Sequence, residues 1–467
     1  MLAHGPGGGH TCGVSARPLS DEPGRPADFR SDDGEGATGQ GGSSKAEILD
    51  ARDRFRVRES GPLEGTITVG GAKNSVLKLM VACLLAEGRH VLHNVPAIAD
   101  VEIMAVVLRW LGAEVVRDGH RLVIDTPAEL NSSAPFDLVE RMRASVVLMG
   151  PLLARTGWLC LGMPGGDDFG SRPIDFHLKG LEAMGAQFGF SHGEVEGRAS
   201  QLSGARIVLE YPSHTTTDNL LMAATLAKGT TVIENAAREP EVADLAAFLS
   251  GMGARISGAG TSRLEIEGVL ALEPAEHEVI PDRVEAATFL AAVGLAGGEV
   301  LVEGARPDHM DMLMAKMGEI GVRTSPSSSG IWVSSERRLT GVDLATLPYP
   351  GVATDYKPLL VTMLSVAQGA AIVTENLFAG RFRYTEELRR MGADIHTEGR
   401  HVVVRGVPRL DGAVVRSCDV RAGAALVLAG LVAEGETIIT DARHVDRGYE
   451  DLAGRLRSLG ADVARIR

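Results

Sequence analysis

Aromatic side chains are scarce in this chain: Phe, Tyr and Trp together make up 4% of its 467 residues. That is too few for the stacking platforms on which single-stranded nucleic acids bind. Basic charge is also in deficit, with 47 Lys and Arg against 61 Asp and Glu and a formal net charge of -14. A nucleic-acid surface carries the opposite balance, so no such partner is expected. Cysteine occurs four times, at Cys12, Cys83, Cys160 and Cys418, with no close pair. Neither a metal pattern nor a disulfide framework follows, and free thiols in a reducing compartment are expected. No apolar run approaches the roughly 20 residues that span a bilayer. No basic segment followed by an apolar one opens the chain, so neither a membrane span nor a secretory leader is expected. The expected setting is the cytoplasm.

What the chain has in abundance is Ala, Leu, Val and Gly, which call for a core of small aliphatic side chains. Residues 1–54, rich in Gly, Pro, Ser and Asp, cannot bury enough apolar surface to offset ordering and read as a disordered tail. Beyond them the chain repeats itself. A helix-end phrase occurs six times, at Leu108–Val115, Leu181–Phe188, Leu249–Ile256, Met317–Thr324, Leu388–Ile395 and Leu456–Val463. Each phrase sets apolar residues at helical spacing ahead of a Gly and the start of a strand. A second phrase, an Ala/Leu-rich helix followed by Gly and a β-branched strand, recurs near Cys83, Ala224 and Leu431, with a weaker copy at Leu152–Leu161. Six units of about 70 residues fill the chain, one supersecondary element reused. A solenoid and two compact domains of three units each both satisfy that period; core size favours two domains.

Cations recur beside Gly, Ser or Asp at element ends. Lys73-Asn74 opens a helix, a placement that suits an anion. Arg143-Ala144-Ser145 heads another. Pro164 to His177 (PGGDDFGSRPIDFH) reads as a long, mobile loop. Thr354-Asp355, Gly380-Arg381, Asp419 to Ala422 and Asp446-Arg447 continue the series. Any one of these alone reads as a surface ion pair, but the joint pattern does not.

These islands resemble the enolpyruvyl transferases. The match runs from about Val57 to the end through GGAKNSVLKLM at Gly70, MRAS at Met142, the Pro164 loop, NAAREPE at Asn235, PDRVEAATF at Pro281, TENLFAGRF at Thr374, DVRAGAALVLAG at Asp419 and HVDRGYE at His444. The resemblance implies a two-domain inverse α/β barrel of six similar repeats, three per domain, with the active site in the interdomain cleft. One domain would span 73–280 and carry the mobile loop near 164–172; the other would join 55–72 to 281–467. The implied reaction moves the enolpyruvyl group of phosphoenolpyruvate to the 3-hydroxyl of UDP-N-acetylglucosamine, releasing phosphate, in the first committed step of peptidoglycan synthesis. The alternative acceptor is another uridine nucleotide, such as the 3′-hydroxyl of UMP in nucleoside-antibiotic biosynthesis. A third reading, a silent paralogue that only binds a sugar nucleotide, is disfavoured by the intact Lys73, Asp355 and Arg447.

Phosphoenolpyruvate carries a phosphate and a carboxylate, so its pocket needs several fixed cations, for which the arginine fork is suited. The resemblance assigns Lys73, Arg143, Arg172, Arg381, Arg421 and Arg447 to the two substrates, with Lys73 and Arg447 among the catalytic set. Asn74, Pro173, Ile174, Asp175, Phe176, Tyr211, Ser213, His214 and Leu377 complete the implied substrate contacts. Asp355 is the implied base for the acceptor hydroxyl and Asp167 the implied acid, standing where many relatives have cysteine. As an acid Asp167 must hold a proton near neutral pH, and adjacent Asp168 and bound phosphate are expected to raise its pKa. Resistance to the epoxide fosfomycin, which alkylates that cysteine, is expected. Ser213-His214-Thr215-Thr216 departs from the Ser-Val-Gly-Ala of common members, in a segment that contacts the diphosphate. No metal and no cofactor are expected.

Overall fold

Each of the six recurrent phrases closes a helix. The computed structural model describes residues 53–467 apart from Asp168, Ser171 and Arg337. Gly112, Gly185, Gly253, Gly321, Gly392 and Gly460, one in each phrase, all have positive φ, from 88° at Gly392 to 109° at Gly321. That left-handed turn is the helix stop open to glycine at no steric cost. The helices so ended are Ala99–Trp110, Asp175–Ala183, Pro240–Gly251, Asp311–Ile320, Tyr384–Arg390 and Leu452–Ser458. The weaker second phrase belongs to the same pattern, since Gly157 caps Met149–Thr156 with φ 70°.

A second helix in each unit lies inside. These are Lys73–Ala82, Met149–Thr156 (preceded by the 3₁₀ segment Arg143–Leu148), His214–Thr225, Arg283–Ala296, Lys357–Ser365 and Val420–Gly430. Every residue of the last two is buried. Small residues make this packing fit: a Cβ on Gly430 would stand 2.8 Å from the Cβ of Val57. The scarcity of aromatics and the excess of Ala and Gly are thus one fact, the close approach of inner helices to their neighbours.

Six four-stranded sheets accompany the helices, all built to one order. In the first, Glu276–Glu278 runs parallel to Gly88–His93, which pairs antiparallel with Arg121–Thr126, itself antiparallel to Glu114–Asp118. Helices lie inside and separate sheets outside, the inverse α/β arrangement of six repeats; no sheet among the described residues closes on itself.

Two of the six sheets borrow strands from the start of the chain. Arg54–Arg58 lies between Glu436–Thr440 and Val463–Ile466, and Leu63–Thr68 runs beside Gly298–Glu303. Buried apolar residues accordingly collect in two cores, one drawn from Ala72 to Val279, the other from Phe55–Val69 with Val284–Val463. The chain passes between them twice, and the passages lie side by side. Ala72 donates its N–H to the Ile280 carbonyl (2.7 Å) and Asp282 to that of Gly70 (2.8 Å). The expected tail, 1–54, falls outside the described residues except for Asp53 and Arg54, and Arg54 already stands in the first strand. No helix among the described residues is long and apolar enough to cross a membrane.

Candidate active site

The inner helices aim their N-terminal ends at the space between the two cores. Lys73 and Asn74 begin one, Arg143 begins the segment leading to a second, His214 a third, and Val420 and Arg421 a fourth; Asp355 precedes Lys357–Ser365 by two residues. The positive end of a helix favours an anion at each such point. Asp419 caps its helix by accepting from Arg421 N (2.8 Å) and Ala422 N (2.9 Å), which fixes the Arg421 side chain at the cavity.

A cavity of about 180 Å³ lies where these ends meet. All six cations picked out from the sequence line it, with Asp167, Asp355 and Asn74. Lys78 adds a further cation and Asp100 a further carboxylate. Positive charge therefore predominates locally on a chain whose net charge is -14. Arg447 pairs with Asp100 (Nε–Oδ1 2.9 Å) and with Asp167, and Lys73 shares Asp100 (2.9 Å). Arg381 holds Asp355 at 2.7 Å, and Arg421 stands 3.5 Å from the same carboxylate.

Arg143 and Arg172 differ from these. Among the described residues neither has a carboxylate partner: Arg143 donates to the Pro164 and Pro173 carbonyls (3.2 and 3.0 Å), and Arg172 stacks over Phe169 and Phe378 at 4.7 and 5.5 Å. Burial, with Arg143 and Arg381 nearby, pulls the Arg172 guanidinium down to about 10. A guanidinium buried beside like charge is favoured by an added anion.

Asp167, Phe169 and Arg172 of the Pro164 stretch line this cavity. Phe169 packs on Phe378 with centroids 5.4 Å apart, and the Arg381 guanidinium sits 4.6 Å from the Phe169 ring. A Cβ on Gly380 would come within 2.7 Å of the Phe169 carbonyl, so glycine permits the approach. His444 stands 3.8 Å from Asp167. Here the sequence expectation fails. Burial raises the Asp167 carboxyl, but His444, Arg447, Lys73 and Arg381 outweigh it and bring it down to about 2. The expectation of a raised value weighed the neighbouring residue and bound phosphate; the cations that decide the sign come from distant parts of the chain. Asp355 is ionised as expected: burial opposes, yet Arg381 and Arg421 hold it far below the usual carboxylate range.

A larger cavity, about 430 Å³, adjoins the first through Asn74, Arg143, Arg172, His214, Thr215, Asp355 and Phe378. Pro173, Asp175, Phe176, Tyr211, Ser213 and Leu377 line it. Ile174 does not: its side chain is 5% exposed and packs in the first core, because it immediately precedes helix Asp175–Ala183 and faces inward.

Several contributors escaped sequence reasoning. Asp100, which joins Lys73 to Arg447, is an Asp in the first turn of a helix, a placement too common to signal anything. Lys357 and Glu375 form a buried pair (2.7 Å). Lys357 also donates to the Arg381 carbonyl (2.6 Å), while Glu375 accepts from Leu377 N (2.8 Å) and Phe378 N (3.1 Å). The pair thereby shapes the turn that carries Leu377, Phe378 and Arg381. Arg283 and Glu241 (2.9 Å) join the two halves under the larger cavity. Glu241→Ala should lower unfolding stability by about 3–5 kcal/mol in urea titration, because it strands a buried guanidinium.

The comparisons with known proteins bear on this geometry. The family described as EPSP synthase (3-phosphoshikimate 1-carboxyvinyltransferase) matches residues 57–456. A UDP-N-acetylglucosamine 1-carboxyvinyltransferase from Nocardia farcinica is 50% identical over 420 residues, covering 89% of this chain and 99% of its own. The UDP-N-acetylglucosamine 1-carboxyvinyltransferase 1 of Caldanaerobacter subterraneus subsp. tengcongensis is 47% identical over 414 residues, covering 89% of this chain and all (100%) of its own. The chain belongs to the EPSP synthase family. It is an enolpyruvyl (1-carboxyvinyl) transferase. Solved structures carry the same fold: the enolpyruvyl transferase NikO from Streptomyces tendae superposes with a TM-score of 0.80 at 24% identity, covering 89% of this chain and 99% of its own. EPSP synthase from Acinetobacter baumannii reaches 0.71 at 18% identity, with 89% and 100% covered. For this family member, then, a cation-lined cavity opens into a larger, more varied one.

Proposed function

We propose that this enzyme transfers the enolpyruvyl group of phosphoenolpyruvate to the 3-hydroxyl of UDP-N-acetylglucosamine and releases phosphate, the first committed step of peptidoglycan synthesis, in the cytoplasm. The observation that carries the reading is the pairing of cavities: a small one ringed by Lys73, Arg143, Arg172, Arg381, Arg421 and Arg447, and a nucleotide-sized one beside it, with Asp355 lining both. The two relatives at 47% and 50% identity, named for this acceptor, support it over UMP. The two cores correspond, on this reading, to two domains that close on the substrates.

The reaction is addition followed by elimination. A proton goes to the methylene carbon of phosphoenolpyruvate, the acceptor oxygen bonds to the neighbouring carbon as its hydroxyl proton leaves, and phosphate then departs as a proton is lost from the methyl group. Asp355, ionised and open to both cavities, is the base that takes the hydroxyl proton. Lys73 and Arg447 hold the phosphate, and the remaining arginines divide between carboxylate and nucleotide. Asp167 is the acid. A phosphate placed between Arg447 and Lys73 neutralises the charges that depress it, so proton uptake by Asp167 accompanies donor binding.

Phosphate release with phosphoenolpyruvate and each nucleotide in turn tests the acceptor. Turnover with UDP-N-acetylglucosamine and none with UMP is expected; the reverse result would replace the reading with the UMP one. Fosfomycin should leave activity intact over hours, since a carboxylate is a poorer nucleophile than a thiolate, and Asp167→Cys should create time-dependent inactivation. An adduct on Asp167 in the unaltered enzyme, seen by mass spectrometry, would sink this expectation.

A further inference from the structure

One buried ionic cluster beside the larger cavity has no part in the steps above. His214 opens its helix at the rim of both cavities, and 21% of its side chain is exposed. One turn on, Asp218 is 1% exposed, with Oδ2 3.4 Å from His214 Nε2. The same oxygen lies 3.6 Å from Lys78 Nζ, and Lys78 donates to the Asn74 carbonyl. Among the described residues neither Asp218 oxygen nor His214 Nε2 has a hydrogen-bond partner. A carboxylate this deeply buried with no hydrogen bond is costly. An imidazolium turned toward it would satisfy both groups.

The surrounding charges decide when that happens. Around the imidazole stand Lys78, Glu241, Arg283 and Asp355, with Asp218 on its own helix and Glu239 close to Asp218. Burial and then Lys78 hold His214 down to about 3. Burial raises Asp218 to about 7, opposed by Lys78 and assisted by Glu239 and Glu241. An anion on the cavity side of the ring counters Lys78 and favours the imidazolium, with ionised Asp218 behind it.

Building on the sugar-nucleotide reading, we infer that His214, positioned by Asp218 and Lys78, is a proton-linked grip for the diphosphate of the acceptor. Below pH 7 the proton passes from Asp218 to His214 when the nucleotide binds, with no net exchange. Above pH 7 Asp218 is already ionised, and the proton comes from water. Linkage then gives the sign: affinity is flat at low pH and weakens, by up to about tenfold per pH unit, above neutrality. A diphosphate diester has no group of its own that titrates there.

The test is calorimetric binding of UDP-N-acetylglucosamine to the full chain in buffers of different ionisation enthalpy. Uptake should approach one proton at pH 8 and fall toward none at pH 6. His214→Gln, at the cavity rim, and Asp218→Asn should both abolish uptake and flatten the pH dependence of KM. Binding without uptake at pH 8, or uptake that survives in His214→Gln, overturns the inference and leaves the acceptor reading standing. Failure to bind the nucleotide overturns both. Should Asp218→Asn not fold, imidazole ¹⁵N shifts in the unaltered protein, assigned with His214→Gln, report the same event: an unchanged neutral ring on nucleotide addition at pH 8 overturns it.

Discussion

Lys73→Met and Arg447→Met should each lose on the order of 10³-fold in kcat/KM while the protein stays folded, a loss at the upper end of that for removing one preorganised charge donor. The two side chains come from opposite cores and meet on one carboxylate, Asp100, which is 1% exposed. On the proposed reading each does two things: it presents charge to the transferring phosphate, and through Asp100 it ties the two cores together. The low dielectric of a closed cleft strengthens both roles. Because they share Asp100, the double substitution should cost less than the product of the single losses. Steady-state phosphate release, beside circular dichroism and urea unfolding, is the measurement. Unchanged turnover in either folded variant would end the phosphate-holding role.

Asp355→Asn should lower kcat by about 10³-fold, within the range for a missing general base, and leave the KM for phosphoenolpyruvate less affected. The amide keeps the shape but cannot accept the hydroxyl proton. The variant also removes the counter-charge between Arg381 and Arg421, so stability should change in a defined direction with pH. In the native enzyme the folded value of Asp355 is depressed by those arginines after burial is overcome. Its stabilisation is thus present above the unfolded carboxylate value and is lost only as pH falls through the lower, folded one. The difference in unfolding free energy between enzyme and variant should therefore be constant from pH 6 to 8 and shrink in acid. A difference that grows as pH falls would contradict this.

Much of this architecture is written locally. The glycines at Gly112 through Gly460 mark helix ends because backbone geometry is a property of a few adjacent residues, and all six adopt the expected conformation. The cations at helix starts were legible for the same reason. The ionisation of Asp167 was not, because it depends on His444 and Arg447, the latter 280 positions away in sequence. Asp100 and the Lys357–Glu375 pair were silent because nothing in their immediate sequence distinguishes a charge that meets a partner from one that meets water. The inward turn of the Ile174 side chain was not legible either, since Pro173 and Asp175 on each side of it line the cavity.

The placement of Arg54–Arg58 bears on how the chain is made. This strand leaves the ribosome long before its partner, since Arg58 pairs with Glu436, 378 positions later. At a synthesis rate of roughly 5–20 residues per second, it waits for something like 20–80 s with both edges open while the first core assembles around other residues. During that interval it is a free template for any complementary strand nearby. Newborn chains thus pass through a window of adhesiveness that refolding of full-length protein from urea does not reproduce, and crowding of polysomes should lower yield more than the finished enzyme's stability implies.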